Sequence, residues 1–217
     1  KNSIYTSRVE STKHLVQELS RLSYPPRMLA SASAIGFYRD KDPATKTEDS
    51  SNGIGYLPQL CLDWENAALK SESFNIKTTT LRIGIVISKR GGALPRMLLP
   101  FKLGFGSKFG NGSQIWSWIH IEDLFRALEY IRLNSITGPV NVVSPRPITQ
   151  SDFGKQLAKT INRPFVFTIP SILLKLVLGE MSIELLSSKN ISPTLLGDHG
   201  FEFLYPDISQ AIEAEIK

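Results

Sequence analysis

With 217 residues, 41% hydrophobic and 21% charged, the chain has ordinary globular make-up; this excludes a disordered or fibrous protein and leaves room for one substantial core with a small appended lobe. Lys and Arg outnumber Asp and Glu by 25 to 20, a net charge of +5, but the cations are scattered among acids, so no nucleic acid is expected as a partner. The single cysteine, Cys61, rules out an intrachain disulfide and a cysteine-based zinc site.

In chain order, Ile4, Val9, Leu15, Val16 and Leu19 recur at helical spacing until Pro25-Pro26 ends the helix. A strand is expected over 27–35, buried on both faces, then a polar surface loop over 40–55 bordering a crevice. The helical pattern returns over 57–69, with Leu60, Trp64, Ala67 and Ala68 on its apolar side, and the β-branched run over 78–87 reads as a central strand. Gly91-Gly92 breaks that strand, a short helix over 93–101 precedes the Gly-rich 103–107, and 114–121 is extended. Glu122 and Asp123 suit the first turn of a helix running to Ile131. A further strand is expected over 138–143, and Thr149 opens a helix with Asp152 three residues on, a relative of the capping box. Beyond Arg163-Pro164, 165–169 leads to an apolar helix ending at Leu178, and a last helix covers 208–216. The apolar stretch 169–178 carries Lys175 and falls far short of the ~20 residues that span a bilayer, so no membrane is expected and a cytoplasmic setting fits.

Strands alternating with helices imply right-handed βαβ units, hence an α/β fold with a doubly wound parallel sheet over 1–163 and a small C-terminal lobe over 164–217. In such sheets the carboxyl ends of strands open onto the ligand crevice, which places Ser33, in Leu29-Ala-Ser-Ala-Ser-Ala-Ile-Gly-Phe-Tyr38, where chemistry is done. No G-x-G-x-x-G occurs, so a phosphate-cradling turn is absent from these residues. Cys61 reads as a small core residue and His120, alternating with isoleucines, as a structural hydrogen-bonding group; neither His14 nor His199 has metal-ligand spacing with it, and no metal is expected. Trp116 and Trp118 share one face, either as a stacking wall or as core.

Seven phrases in order carry a resemblance: Ser7-Arg8 followed by Thr12, Ser33-Ala-Ile-Gly-Phe-Tyr38, Cys61-Leu-Asp-Trp-Glu65, Leu81-Arg-Ile-Gly84, Gly91-Gly-Ala-Leu-Pro-Arg-Met-Leu-Leu-Pro-Phe-Lys-Leu-Gly104, Trp118-Ile-His-Ile-Glu-Asp123 and Asn141-Val-Val-Ser-Pro145. The chain resembles the extended short-chain dehydrogenase/reductase superfamily, and within it an atypical branch, the epimerase family proteins. The resemblance implies a Rossmann-like fold of which roughly the first quarter, with its Gly-rich turn and ribose selector, precedes these residues. It further implies NADP or NAD as cofactor, a small-molecule substrate of unknown identity, and a monomer or homodimer.

By the same resemblance Ser33 corresponds to the catalytic hydroxyl. The superfamily pairs it with a Tyr acid/base and a Lys four residues on, because a free phenol titrates near ~10 and is a poor base at neutral pH. Registering on Trp64-Glu65 puts Leu57 and Cys61 at those positions, while sliding by one recovers Tyr56 but sets Leu60 against it, so neither register restores the pair. Cofactor contacts are implied at Arg8, Ser33, Tyr56, Leu57, Pro58, Gly84 and Ile85: Arg8 as a fork on a phosphate or ribose oxygen, Gly84 and Ile85 as backbone receiving the nicotinamide amide. The expected substrate wall is Met97, Lys102, Gln114 and Trp118. Two classes of function follow: an NAD(P)-dependent oxidoreductase or nucleotide-sugar epimerase-like enzyme in which water or a remote side chain replaces the Tyr-Lys pair, or a non-catalytic NADP-binding sensor or scaffold.

Overall fold

The computed structural model describes residues 2–179 and 181–216. The first helix is α1 (Asn2–Tyr5) and α2 (Ser11–Ser20), joined by a π-type turn, Thr6–Glu10, in which the Ser11 N–H reaches back to the Thr6 carbonyl. Such a widened turn re-aims side chains: it buries Val9 and leaves Arg8 on the surface. The remaining elements are β1 (Met28–Ala34), β2 (Asp42–Lys46), α3 (Tyr56–Leu69), β3 (Lys77–Ile83), β4 (Ile85–Ile87), α4 (Ala93–Lys102), β5 (Gly106–Phe109), β6 (Ile115–Trp116), β7 (Trp118–His120), α5 (Ile121–Asn134), β8 (Gly138–Val142), β9 (Ile148–Thr149), α6 (Gln150–Thr160), β10 (Phe165–Ile169), α7 (Ser171–Leu178), α8 (Met181–Leu185), β11 (Lys189–Ile191), α9 (Thr194–Asp198) and α10 (Ile208–Ile216).

β1, β3 and β8 form a parallel sheet with β3 central; Ser33 lies beside Arg82, and Arg82 beside Asn141. The single strand expected over 78–87 is two, because the chain changes partners at Gly84. Its N–H still donates to Val142 of β8 (3.2 Å), whereas the next N–H, of Ile85, donates to Ser117 (2.9 Å), and β4 then runs parallel to β7. A Cβ on Gly84 would lie 2.7 Å from the Ser117 oxygen and 2.8 Å from Val143 Cγ1, so only glycine lets the two strand pairs meet there. The buried Thr78 and Thr79 hydroxyls of β3 are satisfied by the carbonyls of Ile76 and Ile136.

Three sequence expectations are corrected. β1 is not buried on both faces: Ser31 and Ser33 are covered, but Ala30 and Ala32 are exposed, because no described element packs over that face. The loop over 40–55 contains β2, which pairs in parallel with the distant β11, Lys189 lying opposite Asp42, a pairing that no local pattern marks. The extended run 114–121 breaks at Ser117 into β6 and β7, and β6 pairs antiparallel with β9.

The core is continuous from the sheet into the C-terminal segment. Ile87, Leu94, Trp116, Trp118, Phe153 and Leu157 pack with Ala211 and Ile212 of α10, while Leu81, Ile119, Ile131 and Val140 pack with Leu196 and Phe201. Asp123, fully buried at the start of α5, accepts the N–H groups of Leu204 and Tyr205, each at 2.8 Å, and so ties the segment before α10 to the sheet. Among the described residues no helix is long and apolar enough to cross a membrane.

Candidate functional site

At the carboxyl ends of β1 and β3 lies a cavity of about 440 Å³, walled by Ala34, Ile35 and Gly36 after β1 and by Ile83, Gly84 and Ile85 at the switch from β3 to β4. Its size is that of a small-molecule site, on the order of 300–1,000 Å³. α3 contributes Leu57, Leu60, Cys61 and Trp64, α4 contributes Ala93 and Met97, and Trp116 and Ser117 close it from the β6–β7 side. At Gly36 a Cβ would sit 3.4 Å from Cys61 Sγ, ordinary van der Waals contact, so the turn after β1 lies directly over α3. Arg8 lies at the exposed rim, its guanidinium 5.3 Å from the centre of the Trp64 ring. Trp64 is held by donating from Nε1 to Thr12 Oγ1 at 3.0 Å, which joins the Arg8 and Trp64 phrases of the sequence into one corner.

Beneath this cavity runs a buried polar network. Arg82 donates from Nε and Nη2 to the two oxygens of Glu65 (2.9 and 2.8 Å), and from Nη1 to the Tyr38 hydroxyl (2.9 Å) and the Glu48 carbonyl (3.1 Å). Its guanidinium carbon stacks 3.5 Å from the centre of the Phe37 ring. Tyr38 donates to Asn141 Oδ1 (2.6 Å), and the Asn141 N–H donates to Glu48 Oε1 (3.1 Å). Burial works against the Arg82 charge, but the Glu65 carboxylate and Tyr38 hydroxyl around it raise its pKa above the ordinary value. Burial raises the Tyr38 phenol despite Arg82 beside it, so it stays protonated and donates. Burial likewise raises Glu48, against the N–H groups of Asn141 and Leu195 that favour its charge.

The cavity brings together five of the sequence-derived site residues, Arg8, Leu57, Gly84, Ile85 and Met97. Ser33 is not among its walls: its Oγ donates to Glu65 Oε1 at 2.6 Å, which makes it part of the network. The Gly84 and Ile85 N–H groups are both taken by strand carbonyls, so neither is open to a carboxamide. Tyr56 packs against the cluster of Val9, Leu60 and Ala67 and does not line the cavity, and Pro58 lies against Gly53. Lys102 is exposed at the end of α4 and lines neither cavity. Gln114 faces a separate cleft of about 780 Å³ near Phe109 and Lys175, where its Nε2 donates to the Phe109 carbonyl at 3.2 Å. Trp118 is core, its Nε1 donating to the Arg146 carbonyl at 2.9 Å, whereas Trp116 joins Trp64 in the cavity wall. His120 does structural work: Nδ1 accepts the Glu122 N–H at 3.2 Å and caps α5, while Nε2 lies 3.2 Å from Glu215 Oε1.

Sequence reasoning missed Ser187 and Lys189, which reach the cavity wall from just before and at the start of β11. Nothing in Ser187-Ser-Lys-Asn-Ile191 marks them, because their place depends on the distant pairing of β11 with β2.

Residues 169–215 match a family described as a domain of unknown function, DUF1731. An epimerase family protein of Staphylococcus haemolyticus is 38% identical over 215 residues, covering 98% of this chain and 72% of that protein. Among solved structures, a human epimerase family protein determined with NADPH superposes with a TM-score of 0.91 at 28% identity, over 97% of this chain and 72% of that one. A nucleoside-diphosphate sugar epimerase from Corynebacterium glutamicum superposes with a TM-score of 0.79 at 32% identity, over all of this chain and 43% of that one. The architecture is therefore Rossmann-like, and the chain belongs to the epimerase family, an atypical branch of the short-chain dehydrogenases/reductases.

Proposed function

We propose that the cavity holds the nicotinamide end of NADP, or of NAD, beside a small-molecule substrate, and that the protein is a cytoplasmic oxidoreductase or epimerase-like enzyme. The observation that carries this is the position of the cavity at the carboxyl ends of parallel strands, where α/β sheets bind ligands, with Leu57 and Cys61 in its wall. The residues present fit that end of the cofactor. Apolar side chains from three elements suit a flat ring, and Arg8 at the rim, with no carboxylate partner among the described residues, suits a phosphate or ribose oxygen. When bound, the ring supplies hydride transfer.

The chain's own groups then bind, orient and exclude water. Among the described wall residues there is no Tyr, His, Asp or Glu, so proton transfer falls to water, to a remote side chain or to a group on the substrate and not to a phenol beside a lysine. Ser33 and Arg82, bonded to Glu65, hold α3 against β1 and β3 and so fix the wall that carries Leu57 and Cys61.

Fluorescence titration with NADPH and with reduced nicotinamide mononucleotide tests the reading. Both bind, and Arg8→Ala weakens binding roughly 10- to 100-fold, as the loss of a charge-assisted hydrogen bond requires, with unliganded thermal unfolding unchanged. Normal binding by Arg8→Ala places Arg8 outside the site. Bound NADPH that no carbonyl compound oxidises favours the sensor or scaffold over the enzyme.

A further inference from the structure

Lys189 is 8% exposed and Ser187 7% exposed, and both border the cavity. Both line the same cavity, while Ser188 between them turns elsewhere, its Oγ accepting the Ile115 N–H at 2.9 Å. Neither the Lys189 ammonium nor the Ser187 hydroxyl has a hydrogen-bond or ion-pair partner among the described residues. The backbone beneath is firmly held: Ser117 Oγ donates to the Lys189 carbonyl at 2.9 Å and accepts the Ile191 N–H at 3.0 Å.

An ammonium facing a largely apolar cavity without a counter-ion gives up part of its hydration there, and an anion entering the cavity offsets that loss. Among the described residues no carboxylate lines this cavity, so a negatively charged ligand is the group that would compensate Lys189. The ligand's other requirements follow from the remaining walls. Ile35, Leu57, Leu60, Met97 and Leu185 offer apolar surface, Trp116 adds a ring whose buried Nε1–H has no partner among the described residues, and the Ser117 hydroxyl is already used in both directions. A hydroxyl-rich sugar bound there would leave most of its polar groups unpaired, because Lys189, Ser187 and the Trp116 Nε1–H are few partners for its many hydroxyls.

The geometry points to Lys189 and Ser187 as the substrate's anion-binding pair, and to a small carboxylic acid with an apolar body, not a nucleotide sugar, as the substrate class. This rests on the reading of the cavity as the reacting site. It also gives the C-terminal segment a role: it delivers a cation into a cavity that the sheet and α3 otherwise build from apolar groups.

Isothermal titration of the chain with hexanoate, hexanamide and UDP-glucose tests it. Hexanoate binds and the other two do not; Lys189→Met and Lys189→Gln each lose hexanoate affinity about 10- to 100-fold, and Lys189→Arg retains it. Lys189→Met melts no lower than the parent chain, because it removes an uncompensated buried charge; a structural lysine would give the opposite shift. The proposal is overturned if hexanoate fails to bind, if it binds Lys189→Gln as tightly as the parent, or if hexanamide or UDP-glucose binds equally well. Reduced nicotinamide mononucleotide is a separate arm: its failure to bind while hexanoate binds removes the nicotinamide reading alone.

Discussion

Arg82→Leu tests the buried network on which the cavity floor rests. The Arg82 and Glu65 side chains are each 5% exposed, and the substitution strands the Glu65 carboxylate with Ser33 Oγ as its remaining donor. It also removes the donor to the Tyr38 hydroxyl and the Glu48 carbonyl and the stack on Phe37. Removing one member of a buried pair costs about 3–5 kcal/mol. At about 2–4 °C per kcal/mol for a chain of this size, the melting temperature falls by roughly 6–20 °C. Glu65→Leu costs a similar amount by stranding the guanidinium. The double variant removes both charges and loses less than the sum of the singles, with a coupling of at least about 1 kcal/mol. Urea unfolding with a common m-value measures all three. A cost below about 1 kcal/mol for Arg82→Leu, the range of an exposed pair, or strictly additive losses, would refute the argument that this pair is load-carrying in the fold.

Two further substitutions probe the elements around the site. Gly84→Ala forces a methyl group against the Ser117 carbonyl and Val143, and should destabilise by about 1–3 kcal/mol in the same unfolding assay; a neutral result would mean that the strand switch can open without cost. His120 has its pKa lowered, first by burial, against Glu215, Asp123 and Glu122, which favour the charged ring. The unfolded chain therefore takes up the proton first, so stability is intact above the ordinary histidine pKa of ~6.5 and declines as pH falls below it. His120→Asn, which keeps an acceptor for the Glu122 N–H, should flatten that part of the stability profile, and an unchanged slope between pH 7 and 5 would assign it to other groups.

The sequence by itself determined the elements whose signals are local. The first helix ends at Ser20, ahead of Pro25-Pro26; the Thr149 hydroxyl accepts the Asp152 N–H at 3.1 Å as the capping pattern required; the last helix occupies 208–216 as its spacing indicated. Alternating strands and helices were enough for a parallel sheet, and seven short phrases were enough for the family.

Only the tertiary structure decided which face of each element looks into the cavity. Ser33 sits at the expected strand end, yet its hydroxyl is taken by Glu65, thirty-two residues on, and no spacing in the chain marks Glu65 as the buried partner of Arg82. The continuous β-branched pattern of 78–87 hid the exchange of partners at Gly84, because periodicity reports burial and not which strand lies alongside. Lys189 and Ser187 were invisible for the same reason: a short segment acquires its position through pairing with a strand far earlier in the chain, and that pairing is settled by long-range packing, which leaves no local signal.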